Sequence, residues 1–140
     1  MNNHKIGYTT GVFDLFHIGH LNLLKRAKQH CDYLIVGVTI DELVHYKNKS
    51  AIIPFEERIE IVRSIKYVDQ AVPQVSMNKI EAWNKYKFDI MFVGDDWKGT
   101  DTWNKIEADF KKLGVSIMYF PYTNSISSTS LRARLKTNDN

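Results

Sequence analysis

Two histidines, His17 and His20, lie three residues apart in the segment 11–20, which also contains Gly11 and Gly19. At this spacing both imidazoles can project from one face of a first helical turn toward the same ligand. Glycines allow the backbone to approach that ligand closely, and a helix N-terminus offers unpaired N–H groups that bind phosphate. The pattern therefore predicts a phosphate-binding site rather than a helix cap alone.

Cationic and hydroxyl side chains provide further candidates. Lys47 and Lys49 lie within residues 41–54, a stretch without helix or strand pattern, and a loop of this length in a small domain is commonly functional. The hydroxyl residues at 127–129 are good N-caps for a last helix. Since capping and phosphate binding use the same N–H groups, this segment is a second candidate for phosphate.

The elements that position these residues follow from hydrophobic periodicity. Short apolar runs alternate with helix-period segments, which is typical of βαβ units in a Rossmann-like α/β fold with a five-stranded parallel sheet flanked by helices. Predicted strands are 5–10, 33–39, 70–73, 90–93 and 116–120, and predicted helices are 18–30, 55–64, 79–86, 103–112 and 128–136. Parallel sheets bind ligands at the carboxyl ends of their strands, where the histidine segment falls.

Composition limits the classes of function. A chain of 140 residues with 44% hydrophobic content predicts one domain over 1–136 and a frayed tail at 137–140. Its net charge of +3 comes from scattered lysines, so we expect no nucleic-acid partner. Without a membrane-length apolar run or a secretory signal pattern, we expect a cytoplasmic protein with no membrane partner. One cysteine, Cys31, excludes an internal disulfide.

Four segments resemble the nucleotidyltransferase superfamily, and most closely its cytidylyltransferase branch. GVFDLFHIGH at 11–20 is similar to the HxGH signature region. KYVDQ at 66–70 resembles RYVDE, GDDWKG at 94–99 resembles GDDWxG, and ISSTSLR at 126–132 resembles ISSTxxR. The segments occur in the family's order and span nearly the whole chain, with the greatest similarity to bacterial glycerol-3-phosphate cytidylyltransferases.

This resemblance implies transfer of CMP from CTP to a small phosphorylated alcohol, with a glycerol phosphate as the expected acceptor and cell-surface polymer synthesis as the expected pathway. A phosphomonoester has a second pKa of about 6, so the nucleophile is already ionised and needs no general base. The reaction needs alignment and charge neutralisation instead. We expect Mg²⁺ to accompany the triphosphate without a protein metal site. By family analogy we expect a homodimer, with the YVD segment near its interface.

The resemblance also implies roles for individual residues. The predicted catalytic residues are His17, His20 and Lys49, which would contact the triphosphate and stabilise charge in the transition state. The predicted acceptor-binding residues are Lys47, Arg58 and Lys66. The other predicted nucleotide-binding residues are Gly11, Val12, Phe13, Asp14, Asp96, Trp97, Thr123, Ile126, Ser127, Ser128, Thr129 and Arg132.

The chain departs from the glycerol-phosphate pattern at three places. It reads YTNS at 122–125 where those enzymes have RTEG, and we hypothesise that Arg132 replaces the missing arginine. Val12 stands for threonine, and Lys66 replaces the arginine of RYVDE, which keeps the charge but loses the bidentate fork. These differences leave the acceptor open, including glycerol-2-phosphate.

Three alternatives remain open. In the first, the acceptor is phosphoethanolamine, phosphocholine or another phosphorylated alcohol. In the second, the enzyme is an adenylyltransferase that uses ATP, as the ISSTxxR spelling allows. The GDDWxG and YVD segments argue against ATP. A nucleotide-binding regulator without turnover is the non-enzyme alternative, against which the intact His17, His20 and Lys49 argue.

Overall fold

Helices and strands alternate along the chain. The computed structural model describes residues 5–46, 51–95 and 98–121. In chain order the elements are β1 (Ile6–Gly11), α1 (Ile18–Lys28), β2 (Tyr33–Thr39), α2 (Asp41–Tyr46), α3 (Phe55–Arg63), β3 (Gln70–Gln74), α4 (Lys79–Tyr86), β4 (Ile90–Gly94), α5 (Asp101–Lys112) and β5 (Ser116–Phe120).

All five strands are parallel and form one sheet in the order β3-β2-β1-β4-β5. The chain builds outward from β1 to β3 and then crosses back to place β4 on the other side of β1. This reversal opens a crevice between the carboxyl ends of β1 and β4, where doubly wound sheets bind ligands. The predicted five-stranded Rossmann-like sheet is confirmed.

Helices cover both faces of the sheet, which explains why β2 and β4 are mostly apolar along their length. On one face Leu24 and Ala27 of α1 and Val62 of α3 are fully buried against the sheet. On the other face Trp103 and Phe110 of α5 belong to a second buried cluster. The sheet therefore lies between two buried cores.

The structure corrects the prediction of an irregular stretch over 41–54, because its first six residues form helix α2. Asp41 and Glu42 lie in the first turn, where carboxylates interact favourably with the helix dipole, and Val44 is buried. A helix of one and a half turns is too short for its periodicity to be recognised.

The predicted boundaries of α5 also change. It begins at Asp101, two residues earlier than predicted, because the Thr100 hydroxyl accepts a hydrogen bond from the Trp103 N–H at 3.3 Å. Its end is as predicted, since Gly114 follows with a φ of +78° that favours glycine. The predicted helix 128–136 lies outside the described residues. No helix in the described ranges is long and apolar enough to cross a membrane.

Candidate active site

Both histidines form a reciprocal cap at the start of α1. His17 Nδ1 accepts a hydrogen bond from the Gly19 N–H at 3.0 Å, and His20 Nδ1 accepts one from the His17 N–H at 3.2 Å. Because each Nδ1 is an acceptor, each neutral ring carries its proton on Nε2. The ring centroids lie 4.2 Å apart, so the cap orients two Nε2–H donors side by side.

The environment keeps these imidazoles uncharged at neutral pH. Burial lowers the pKa of His20 to about 4, with a smaller contribution from His17 and an opposing one from Asp14. Burial also lowers the pKa of His17. His17 Nε2 is buried and has no hydrogen-bond partner among the described residues. A buried donor without a partner is rare in a native protein, so His17 Nε2 is a candidate ligand-binding atom.

The loop from β1 to α1 is strained. Phe13 and Leu15 have φ angles of 55° and 51°, which residues other than glycine rarely adopt. The Phe13 ring is buried and packs edge-on against His20, with a centroid distance of 5.5 Å. A Cβ on Gly11 would lie 3.0 Å from the Phe13 ring, so a larger residue there would require the ring to shift by a few tenths of an ångström. Strain of this kind concentrates at functional sites.

Asp14 attaches this loop to the segment that follows residues 47–50. Its buried carboxylate accepts hydrogen bonds from the backbone N–H groups of Ile52 and Ile53 at 2.8 and 2.9 Å. The structure thus gives Asp14 a positioning role in the described contacts. The attachment fixes one end of the segment that contains Lys47 and Lys49.

Arg58 completes the attachment from α3. Its guanidinium donates to the carbonyl oxygens of Val12, Thr39 and Ile53 at 2.7–2.8 Å and forms an ion pair with Asp41. The residue is only 1% exposed. We predicted acceptor binding for Arg58, whereas the structure directs its side chain into the protein, because carbonyl groups at the ends of β1 and β2 need donors. Arg58 is therefore a positioning residue.

Lys66 is not brought to this site within one chain. It follows α3, which runs antiparallel to the strands and ends at the amino edge of the sheet. Three residues later the Asp69 carboxylate accepts a hydrogen bond from the Leu34 N–H, at the start of β2. The Lys66 ammonium lies in the exposed turn, 5.2 Å from the Tyr67 ring centroid. The crossover geometry of parallel strands thus separates Lys66 from the histidines.

A cavity of about 450 Å³ opens at the carboxyl ends of the strands. Gly11 and Val12 line it after β1, and Gly94 lines it at the end of β4, so the predicted nucleotide segment borders the crevice. The cavity extends to β2 and β3, where Lys79 at the start of α4 contributes a cation. Sequence reasoning missed Lys79, although its position just after the carboxyl end of a strand was a usable signal.

Ten predicted site residues lie outside the described residues, and their roles stay predictions. They are Lys47, Lys49, Asp96, Trp97, Thr123, Ile126, Ser127, Ser128, Thr129 and Arg132. Within the ranges that the structure describes, no group of three or more His, Cys, Asp or Glu side chains is arranged to hold a metal ion.

Comparison with known proteins assigns the family. The cytidylyltransferase-like family matches residues 8–134. The chain belongs to the cytidylyltransferase-like family. As a member of this family it is a nucleotidyltransferase.

Three curated relatives are each named glycerol-3-phosphate cytidylyltransferase. The Bacillus spizizenii protein is 39% identical and the match covers 89% of this chain and 92% of the relative. The Bacillus subtilis protein is 37% identical, and the match covers 91% of this chain and 94% of the relative. The Staphylococcus aureus protein is 35% identical, and the match covers 94% of this chain and 95% of the relative. The similarity therefore extends over nearly the full length of each relative.

Solved structures support the architecture. The lipopolysaccharide core biosynthesis protein from Thermoplasma volcanium superimposes with a TM-score of 0.73 at 26% identity, covering 86% of this chain and 98% of that one. Pantoate-beta-alanine ligase from Francisella tularensis gives a TM-score of 0.65 at 15% identity, covering 97% of this chain and 70% of that one. The second likeness shows a shared fold alone.

Proposed function

We propose that this enzyme transfers CMP from CTP to a glycerol phosphate and releases CDP-glycerol and pyrophosphate. The relatives named glycerol-3-phosphate cytidylyltransferase support this acceptor, since they match over most of their length. The observation that carries the proposal is the buried Nε2 of His17, which has no hydrogen-bond partner among the described residues and lies beside the His20 ring at the N-terminus of α1. Such a donor set binds phosphate oxygens.

The triphosphate lies against the start of α1 in this proposal. The Nε2–H groups of His17 and His20 donate to its oxygens, and these bonds strengthen as negative charge grows in the transition state. An oxygen of the acceptor's phosphate attacks the α-phosphorus, and the bond to the bridging oxygen breaks, so pyrophosphate leaves with the electron pair. The attacking phosphate is already ionised, which removes the need for a general base.

Lysines supply the positive charge that two neutral imidazoles do not. By family resemblance we assign Lys49 to the α-phosphate and Lys47 to the acceptor's phosphate. Asp14 binds the backbone of Ile52 and Ile53, a few residues further along the chain. Lys79 contributes a further cation on the β3 side of the cavity. Asp96, Trp97, Thr123, Ile126, residues 127–129 and Arg132 remain proposed nucleotide contacts.

Mg²⁺ accompanies CTP in this proposal and supplies charge neutralisation for the triphosphate. The donors that the structure describes at the start of α1 are N–H groups, which bind phosphate oxygens and not cations. We therefore assign the ion to the phosphates. We also propose a homodimeric, cytoplasmic enzyme whose product supplies a cell-surface polymer, with family analogy as the support.

The test is a pyrophosphate-release assay with CTP or ATP and glycerol-3-phosphate, with the nucleotide product identified by mass. We expect CDP-glycerol with CTP and a much slower reaction with ATP. Turnover that prefers ATP would instead identify an adenylyltransferase. Binding of CTP without pyrophosphate release, under any phosphorylated alcohol, would identify a nucleotide-binding regulator.

A further inference from the structure

The β2–β3 side of the cavity contains a buried polar pair that the proposed chemistry does not use. Thr39 ends β2 and Gln74 ends β3, they are 1% and 5% exposed, and both line the cavity. The Thr39 hydroxyl donates to Gln74 Oε1 at 2.6 Å. In this arrangement the carboxamide oxygen faces Thr39 and the nitrogen faces Met77.

The amide nitrogen of Gln74 lacks a strong acceptor. Its described partner is the thioether sulfur of Met77, which also lines the cavity, at 3.7 Å. An amide nitrogen carries two N–H donors, and a thioether is only a weak acceptor. Leaving a buried donor poorly paired is unfavourable, so an oxygen from a bound ligand would improve the site.

The charge of the cavity wall limits what that ligand is. Among the described residues that line the cavity, none is Asp or Glu, whereas Lys79 contributes a positive charge. The Trp103 ring could otherwise attract an ammonium group, but Lys79 Nζ already lies 6.0 Å from its centroid. The wall thus disfavours a cationic alcohol such as ethanolamine or choline and is compatible with a neutral polyol.

We propose that Thr39 and Gln74 form a hydroxyl-binding subsite, in which the Gln74 amide N–H groups bind a hydroxyl oxygen of a neutral polyol phosphate. This inference rests on the proposed function and adds the residue that selects the acceptor. Gln74 is a specificity-determining residue here, and Thr39 positions it. The phosphate of the acceptor is held elsewhere, by the cations.

The test compares glycerol-3-phosphate with propyl phosphate, which lacks the hydroxyls, and with phosphoethanolamine, each at saturating CTP. We expect wild type to prefer glycerol-3-phosphate and to use phosphoethanolamine least. Gln74→Leu should lower kcat/KM for glycerol-3-phosphate about tenfold and leave propyl phosphate nearly unchanged, so that the preference collapses. The KM for CTP should stay within about twofold of wild type.

Two further variants serve as controls. Thr39→Val/Gln74→Leu removes both partners and avoids a stranded hydroxyl, so it should fold and lose the same preference. Gln70→Leu makes the same change at the other end of β3, where Gln70 accepts a hydrogen bond from the Tyr33 hydroxyl, and should keep the wild-type preference. An unchanged preference in both Gln74 variants, or equal use of phosphoethanolamine by wild type, would overturn this inference alone. Absence of any turnover by wild type would overturn the proposed function with it.

Discussion

The two edges of the sheet differ in how their polar groups are satisfied. At the amino edge three aspartates precede strands, and each carboxylate accepts a backbone N–H at the start of a neighbouring strand. Asp32 accepts from Lys5, Asp69 from Leu34, and Asp89 from Ile6, all at 2.8–2.9 Å. At the carboxyl edge His17 Nε2 is buried without a partner among the described residues, and the loop before α1 has two strained residues.

The two edges differ in whether contacts within the folded chain satisfy their polar groups. At the amino edge these three carboxylates satisfy backbone N–H groups at the starts of β1 and β2 within the same chain. The carboxyl edge keeps a donor, a strained loop and a cavity, which reduce stability unless a ligand completes them. A binding site is therefore recognisable here as the edge where local interactions are incomplete.

Arg58 should show the largest effect on stability. Arg58→Leu leaves three carbonyl groups without their donor, and an unsatisfied buried polar group typically costs about 1–3 kcal/mol, so we expect a loss of about 3 kcal/mol or more. Loss of the ion pair with Asp41 adds little, because the Asp41 side chain is 34% exposed. Denaturant unfolding measures the loss. Arg63→Leu on the same helix removes only an exposed pair with Glu60 and should cost under about 1 kcal/mol. Equal losses in both variants would contradict the positioning role of Arg58.

His17 should show the largest effect on turnover. Asparagine is also a good N-cap, so His17→Asn should retain the start of α1 while it removes the Nε2–H donor. We expect kcat to fall about 100-fold to 1000-fold, as for loss of one transition-state donor. Steady-state kinetics and thermal unfolding measure the two effects separately. A variant with normal kcat would show that His17 serves only as a cap.

His20 should make stability depend on pH. Its pKa is lowered in the folded protein from 6.5 to about 4, so the unfolded chain binds the proton first. Stability should therefore be complete above pH 6.5 and decrease as pH falls toward 4, by at most about 1.4 kcal/mol for each unit of the shift. The free energy of unfolding of wild type and His20→Gln, measured across this pH range, tests the prediction, since the stability of the variant should depend less on pH. Equal slopes in both proteins would exclude His20 as the source.

Lys28 should show the smallest effect, because it lies at the satisfied edge. Its ammonium contacts the Asp69 carboxylate and the Asp32 carbonyl oxygen, with about a third of each ion-pair side chain exposed. Lys28→Met should cost about 0–1 kcal/mol in unfolding and leave kcat within about twofold of wild type. A large loss of turnover would mean that this edge contributes to catalysis and that the two edges are not distinct.

Much of the scaffold followed from local pattern. Strands β2 and β5 and helix α4 have the predicted bounds, because buried strands and amphipathic helices leave a periodicity in consecutive residues. Helix α2 was missed because six residues contain too little of that signal. The histidine segment was also recognisable, since its residues are adjacent in the chain.

By itself the sequence determined the alternation of strands and helices, the position of the histidine segment between β1 and α1, and the resemblance to cytidylyltransferases. Only the tertiary structure decided that Arg58 is buried, that Lys66 lies at the far edge, and that Thr39 and Gln74 meet in the cavity. The physical reason is sequence separation. These contacts join residues 35 or more positions apart, or depend on the crossover that places α3 against the sheet, and no local period records them.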